Sequence, residues 1–207
     1  TYFSGPRPKH KISSSRLIKN ILKKYMEQVL KTDCGHAPFT ILGLEEEFEY
    51  GLQVGGQQLK IKGIVDRIDE KNGTVRVIDY KTGQDEKRFN SLEELFDPAK
   101  NTKAVFQTLI YSGFANRDTR FEGKKVQPGV FNIREIFNKN FDPRIFEQPP
   151  RQKPNFIDDS RSLLTGFTEQ LANFFKDGLL DNSVPFSQTS DEKVCRYCPY
   201  KFICKRD

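Results

Sequence analysis

The chain has 207 residues, 36% hydrophobic and 30% charged, a size and balance that suit one domain with a sizeable core. Its 34 basic against 28 acidic side chains leave a net charge of +6, which favours a polyanionic partner through non-specific attraction and specifies nothing further. No run of about 18 apolar residues occurs, so a membrane-spanning helix is excluded. The chain opens on Thr1 with no basic-then-apolar signal segment, and it reads as a cytoplasmic protein, cut from a longer polypeptide.

Thr1 to Lys11 contains Pro, Gly and Lys and reads as extended. Ser13 to Ser15 offer caps for a helix running to about Thr32. Leu17, Ile21, Leu22, Tyr25, Met26, Val29 and Leu30 recur along it at 3- and 4-residue spacing, and this stripe reads as core. Lys9, Lys11, Arg16, Lys19, Lys23 and Lys24 read as a solvated face rather than a DNA track. Pro38 to Val54 reads as a strand in which Glu45, Glu46 and Glu47 are edge charges; the alternative directs Glu45 or Glu47 into a metal site. Gly51 and Gly55-Gly56 mark turns.

Gln58–Asp69 and Thr74–Lys81 alternate apolar and polar residues on either side of Asn72-Gly73, a pair suited to the positive φ angles of a type I′ turn. That turn sets Ile68 opposite Val77, Asp69 opposite Arg76 and Asp66 opposite Asp79. Two opposed carboxylates repel unless a cation lies between them. Lys81 lies two residues beyond Asp79 on the same face, so two acids and an ammonium converge at one hairpin end. Hard divalent cations take oxygen ligands from such carboxylates and from phosphates, and a lysine beside them can offset developing charge.

Thr82 to Lys100 is a polar, partly helical connector. Asn101-Thr102 can cap a helix over Lys103–Asn116, which sets Gln107 and Tyr111 on one face. Val126 to Phe137 reads as a strand. Phe137 to Pro154, with four prolines, reads as an irregular surface segment that could order against a partner subunit. Asn155 to Asp177 reads as an amphipathic helix, with Asp158 and Asp159 favouring its dipole and Gly178 ending it. Cys195, Cys198 and Cys204 follow; three thiols are one short of a tetrahedral zinc site or a cubane cluster, and Cys34 is the one other cysteine.

Gly63-x-x-Asp66-Arg-x-Asp69, followed by Ile78-Asp79-Tyr80-Lys81-Thr82-Gly83, resembles the PD-(D/E)XK nuclease superfamily, and within it the RecB-type branch that includes AddB-like subunits of helicase-nucleases. Gln107-x-x-x-Tyr111 and the terminal cysteines follow in that branch's order, from about position 45 to 204. The resemblance implies a restriction-endonuclease-like α/β fold, a short mixed sheet flanked by helices, forming a single nuclease domain over residues 1–207. It implies Mg2+- or Mn2+-dependent hydrolysis of DNA phosphodiesters by an exonuclease of double-strand-break repair and recombination. Asp66, Asp79 and the main-chain carbonyl of Tyr80 would hold the metal, Lys81 would position water or stabilise charge, and Gln107 and Tyr111 would line the DNA side. It also implies a 4Fe–4S cluster on Cys195, Cys198 and Cys204, incomplete within this chain, and a helicase as partner subunit or fused region. The branch's upstream Gly-x-x-x-His-x-x-x-Glu helix is not found: His10 and His36 do not match it, and the expectation sets it before Thr1. The rival readings are a DNA-binding or structural module of the same fold without activity, and a CRISPR-adaptation-type exonuclease.

Overall fold

The computed structural model describes residues 9–183, 185, 187–190 and 192–206, so the expectation for the first eight residues lies outside the described part. Helix α1 spans Lys9–His36. It begins before Ser13–Ser15, which therefore sit within the helix rather than capping it, and it covers Lys9 to Lys11, expected to be extended. The good helix formers Leu, Lys, Met and Gln that follow outweigh the weak turn preference of serine.

Strands β1 (Thr40–Val54), β2 (Gln57–Lys71) and β3 (Thr74–Lys81) form two successive antiparallel hairpins. The second turn has Asn72 at φ 52° and Gly73 at φ 77°, the left-handed pair its sequence predicts. Ile68 faces Val77 and Asp69 faces Arg76, and the ladder ends at Arg67 opposite Ile78. The two-residue strand β4 (Arg88–Phe89) and a helical turn over Glu93–Phe96 lead into helix α2 (Lys103–Ala115). Thr102 stands at the start of α2 without capping it, because its hydroxyl donates to the Glu94 carbonyl at 3.3 Å.

Helix α2 is the crossover to strand β5 (Lys125–Asn132), which runs parallel to β3 at the sheet edge and completes the mixed order β1-β2-β3-β5. Pro128, which cannot donate to a ladder, sits on this edge strand. β5 stops at Asn132 rather than Phe137, since the Asn132 side chain accepts the Arg134 N–H at 3.1 Å and turns the chain. Strands β6 (Phe146–Glu147) and β7 (Asn155–Phe156) join β4 in a small second sheet, so part of the proline-rich segment is ordered within the chain. Helix α3 runs Arg161–Phe174, later than its expected start, and closes in a wide π turn over Phe175–Leu179 that contains Gly178. Asp159 does sit at its N-terminus, accepting the Arg161 N–H at 3.3 Å.

The main core lies between the sheet and helices α2 and α3: Ile68, Val77, Leu109, Val130, Phe167 and Leu171 are all buried. A second, smaller cluster of Ile78, Phe131 and Ile136 takes only Val29 from α1. Tyr25 meets Phe137 edge-on, and Gln28 Nε2 donates to the Ile136 carbonyl at 3.0 Å. The remaining apolar stripe of α1 is exposed, against the expectation that it is core. Helical spacing aligns the stripe on one face, but the neighbours that reach α1 meet only its C-terminal half, at Tyr25, Gln28, Val29 and Asp33.

Above the Arg67–Asp69–Arg76 side of the hairpin lies a buried ion network. Arg76 grips fully buried Asp69 with both forks, Nε at 2.7 Å and Nη2 at 2.8 Å. Arg67 reaches Asp69 at 2.7 Å, Asp33 of α1 at 2.8 Å and the Tyr80 hydroxyl at 3.0 Å. The Phe39 ring lies 4.9 Å from the Arg67 guanidinium carbon.

Candidate active site

β2 and β3 alternate, so residues on the other side of the hairpin from this ion network point toward α2. Asp66 and Asp79 lie there, just past the last ladder pair. Asp66 Oδ2 accepts the Tyr80 N–H at 2.7 Å, which shows that Tyr80's main-chain polar groups face β2. In an extended residue the carbonyl points to the same edge as the N–H, so the Tyr80 carbonyl opens toward Asp66. The next carbonyl, that of Lys81, faces the opposite edge and accepts the Ile133 N–H at 2.9 Å.

Asp79 is only 1% exposed. Lys81 Nζ lies 3.0 Å from its Oδ1 and 2.8 Å from its Oδ2. The second contact is an ion pair without hydrogen-bond alignment, leaving Oδ2 as a buried acceptor that takes no hydrogen bond. Burial raises the Asp79 pKa above the usual carboxylate value; the Lys81 ammonium opposes the shift, while the negative charges of Asp66 and Asp85 add to it.

Lys81 Nζ also donates to Gln107 Oε1 at 2.7 Å, and Gln107 Nε2 donates to the Tyr111 hydroxyl at 2.5 Å. One chain of contacts thus runs Asp79–Lys81–Gln107–Tyr111, with the last two residues one turn apart on α2. Desolvation raises the Tyr111 pKa, with Asp79 and Asp66 adding to the shift, so the phenol stays a protonated donor. The structure brings Asp66, Asp79, Tyr80, Lys81, Gln107 and Tyr111 to one place. Asp85, in the polar connector after β3, is near enough to act on Asp79. A carboxylate six residues past Asp79 gives no periodic signal, because it returns to the site by a loop.

The other sequence candidates fall elsewhere. Glu45 and Glu47 are exposed on β1, and Glu46 between them pairs with Arg120 at 2.6 Å, as edge-strand charges do. Cys195 lies within a helical turn over Glu192–Tyr197, 3.6 Å from an Arg206 nitrogen; Cys34 is exposed on α1. Among the described residues no three His, Cys, Asp or Glu side chains come together as a metal-binding group. The 4Fe–4S expectation for Cys195, Cys198 and Cys204 thus has no assembled ligand group behind it among the described residues.

Gly63 marks how tightly the site is backed. A Cβ there would stand 2.9 Å from the rings of both Tyr111 and Phe114. Gly63→Ala is therefore expected to cost about 1–3 kcal/mol in urea unfolding and to displace Tyr111 from Gln107. Tyr111→Phe, which removes only the hydroxyl, should leave stability within about 1 kcal/mol of the wild type.

A family profile described as the PD-(D/E)XK nuclease superfamily matches residues 5–205. Among solved structures, one titled "Crystal structure of SSO0001" is similar at TM-score 0.36 and 20% identity, over 93% of this chain and 71% of that one. No curated protein matches.

Proposed function

The chain belongs to the PD-(D/E)XK nuclease superfamily, and from that premise we propose that it hydrolyses DNA phosphodiester bonds with Mg2+ or Mn2+ held by Asp66, Asp79 and the Tyr80 carbonyl. The observation that carries this reading is buried Asp79, whose Oδ2 takes no hydrogen bond and whose carboxyl feels the negative charge of Asp66. Two acids and a main-chain oxygen make the hard, anionic donor set that such cations take. When bound, the cation supplies Lewis-acid charge against the scissile phosphate.

The chain's own residues supply the rest. Lys81, held between Asp79 and Gln107, carries a fixed positive charge to where negative charge develops on phosphate oxygens, or orients the attacking water. Gln107 and Tyr111 offer uncharged donors that align the backbone of the DNA without reading its sequence. The order of the motifs, together with the Gln107-x-x-x-Tyr111 helix, extends the reading to a RecB/AddB-type exonuclease working within a helicase-nuclease in double-strand-break repair.

End-labelled linear DNA is the test. Degradation is expected with Mg2+ or Mn2+ and none with EDTA. DNA binding without degradation in either metal would replace this reading with that of a binding module of the same fold. Metal alone gives a second readout: at a hundred times its Kd, Mg2+ should stabilise the fold by about 2.7 kcal/mol, seen as a higher Tm.

A further inference from the structure

The apolar face of α1 is left in solvent. Leu17, Ile18, Ile21, Leu22, Met26 and Leu30 are 42–66% exposed and form one strip over four turns. A surface of this kind marks an interaction site. Its C-terminal half walls a groove of about 530 Å3, closed on the far side by Thr82, Ile133 and Arg134.

The charges beside the strip narrow what can fill it. Between Ser15 and Lys31 the helix carries Arg16, Lys19, Lys23, Lys24 and Lys31 against a single acid, Glu27, which pairs with Lys23 at 3.7 Å. Two copies of α1 laid face to face would set these cations against each other. A planar lipid surface would reach the exposed strip but leave the concave part beside Thr82 and Ile133 unfilled. DNA gains nothing from an apolar strip without donors. An amphipathic helix fits on both counts: apolar side chains at 3- and 4-residue spacing fill the groove, and acidic flanks meet the lysines.

We propose that the α1 strip seats an amphipathic helix of a partner protein whose polar flanks are acidic. The occupant lies beside the site described above: the Thr82 carbonyl accepts Arg134 Nε at 3.1 Å in the groove wall, one residue after Lys81. The inference does not depend on the nuclease reading.

The probe is a dye-labelled peptide of about 18 residues, long enough to cover the strip at 1.5 Å per residue, with leucines in a helical stripe and glutamates on its flanks. A second peptide keeps the leucines and carries lysines instead. The acidic peptide should bind at least about tenfold more tightly, weaken as salt rises, and lose binding to Leu22→Glu/Met26→Glu protein. That double variant should keep an unchanged unfolding midpoint, which separates a lost surface from a lost fold. Equal binding of the two peptides, or binding unaffected by the double variant, overturns the proposal. Self-association in sedimentation, or partition onto anionic phosphatidylserine vesicles, abolished by the same substitutions, overturns it in favour of a second copy or a membrane.

Discussion

Asp79→Asn is expected to lower metal-dependent DNA cleavage by about 10³-fold or more, since Lewis-acid stabilisation is worth several kcal/mol and each 1.36 kcal/mol is tenfold in rate. The same substitution should leave the metal-free fold at least as stable as the wild type. Burial raises the folded-state pKa of Asp79 above its ordinary 3.8, so the folded protein holds this proton more tightly than the unfolded chain. The stability linked to that proton is fully present below the unfolded value and is lost as pH rises through the folded one. At neutral pH the ionised carboxylate therefore works against folding, while asparagine carries no charge and still accepts from Lys81 through its amide oxygen. In EDTA the stability difference between variant and wild type should shift in the variant's favour between pH 3 and pH 7. With Mg2+ the wild type alone should gain. Guanidinium melts under these conditions, beside the cleavage assay, check both halves; a variant that cut DNA at the wild-type rate would remove Asp79 from the reaction.

The largest stability loss is expected from Asp69→Ala, about 3–5 kcal/mol in denaturant unfolding. Asp69 is the one carboxylate that Arg67 and Arg76 share, and it is fully buried between them. Its removal leaves Arg76 without its bidentate partner and Arg67 dependent on Asp33 alone for countercharge. Stabilities of whole domains are only about 5–15 kcal/mol, so the variant would stand near the edge of folding. Asp69→Leu combined with Arg76→Met should recover part of the loss, because charge and countercharge leave together. A loss below about 1 kcal/mol would mean that water satisfies the arginines.

The hairpin was legible because its determinants are local. The Asn72-Gly73 turn and two-residue alternation set the cross-strand pairs from Lys71–Thr74 to Arg67–Ile78, including Asp69 opposite Arg76, while the expected Asp66–Asp79 pair falls just past the end of the ladder. That the pair is buried was not legible: opposite charges across a ladder look the same in solvent, and the cover comes from Asp33 and Phe39, more than 25 residues away. Helix α1 shows the converse. Its stripe was found at the right spacing, but periodicity says which residues share a face and nothing of what lies over them. Asn132 ended β5 early through a side-chain bond that alternation cannot reveal. At the candidate site, Asp66, Asp79 and Lys81 were readable from strand geometry, and Gln107 and Tyr111 from helical spacing, while Asp85 arrives through a loop with no period.

The two faces of the β2–β3 hairpin hold opposite kinds of chemistry, the two carboxylates of the candidate site on one and a closed ion network on the other, and the residues alternate: Asp66, Arg67, Asp79, Tyr80. One residue added within the Asn72-Gly73 turn and absorbed as a one-position slip would exchange the faces wholesale, turning Arg67 toward α2 and burying Asp66 where Asp69's partners sit. The far hairpin end at Gly55-Gly56 is free of this constraint, because residues added there shift no side chain of β2 or β3 relative to the other.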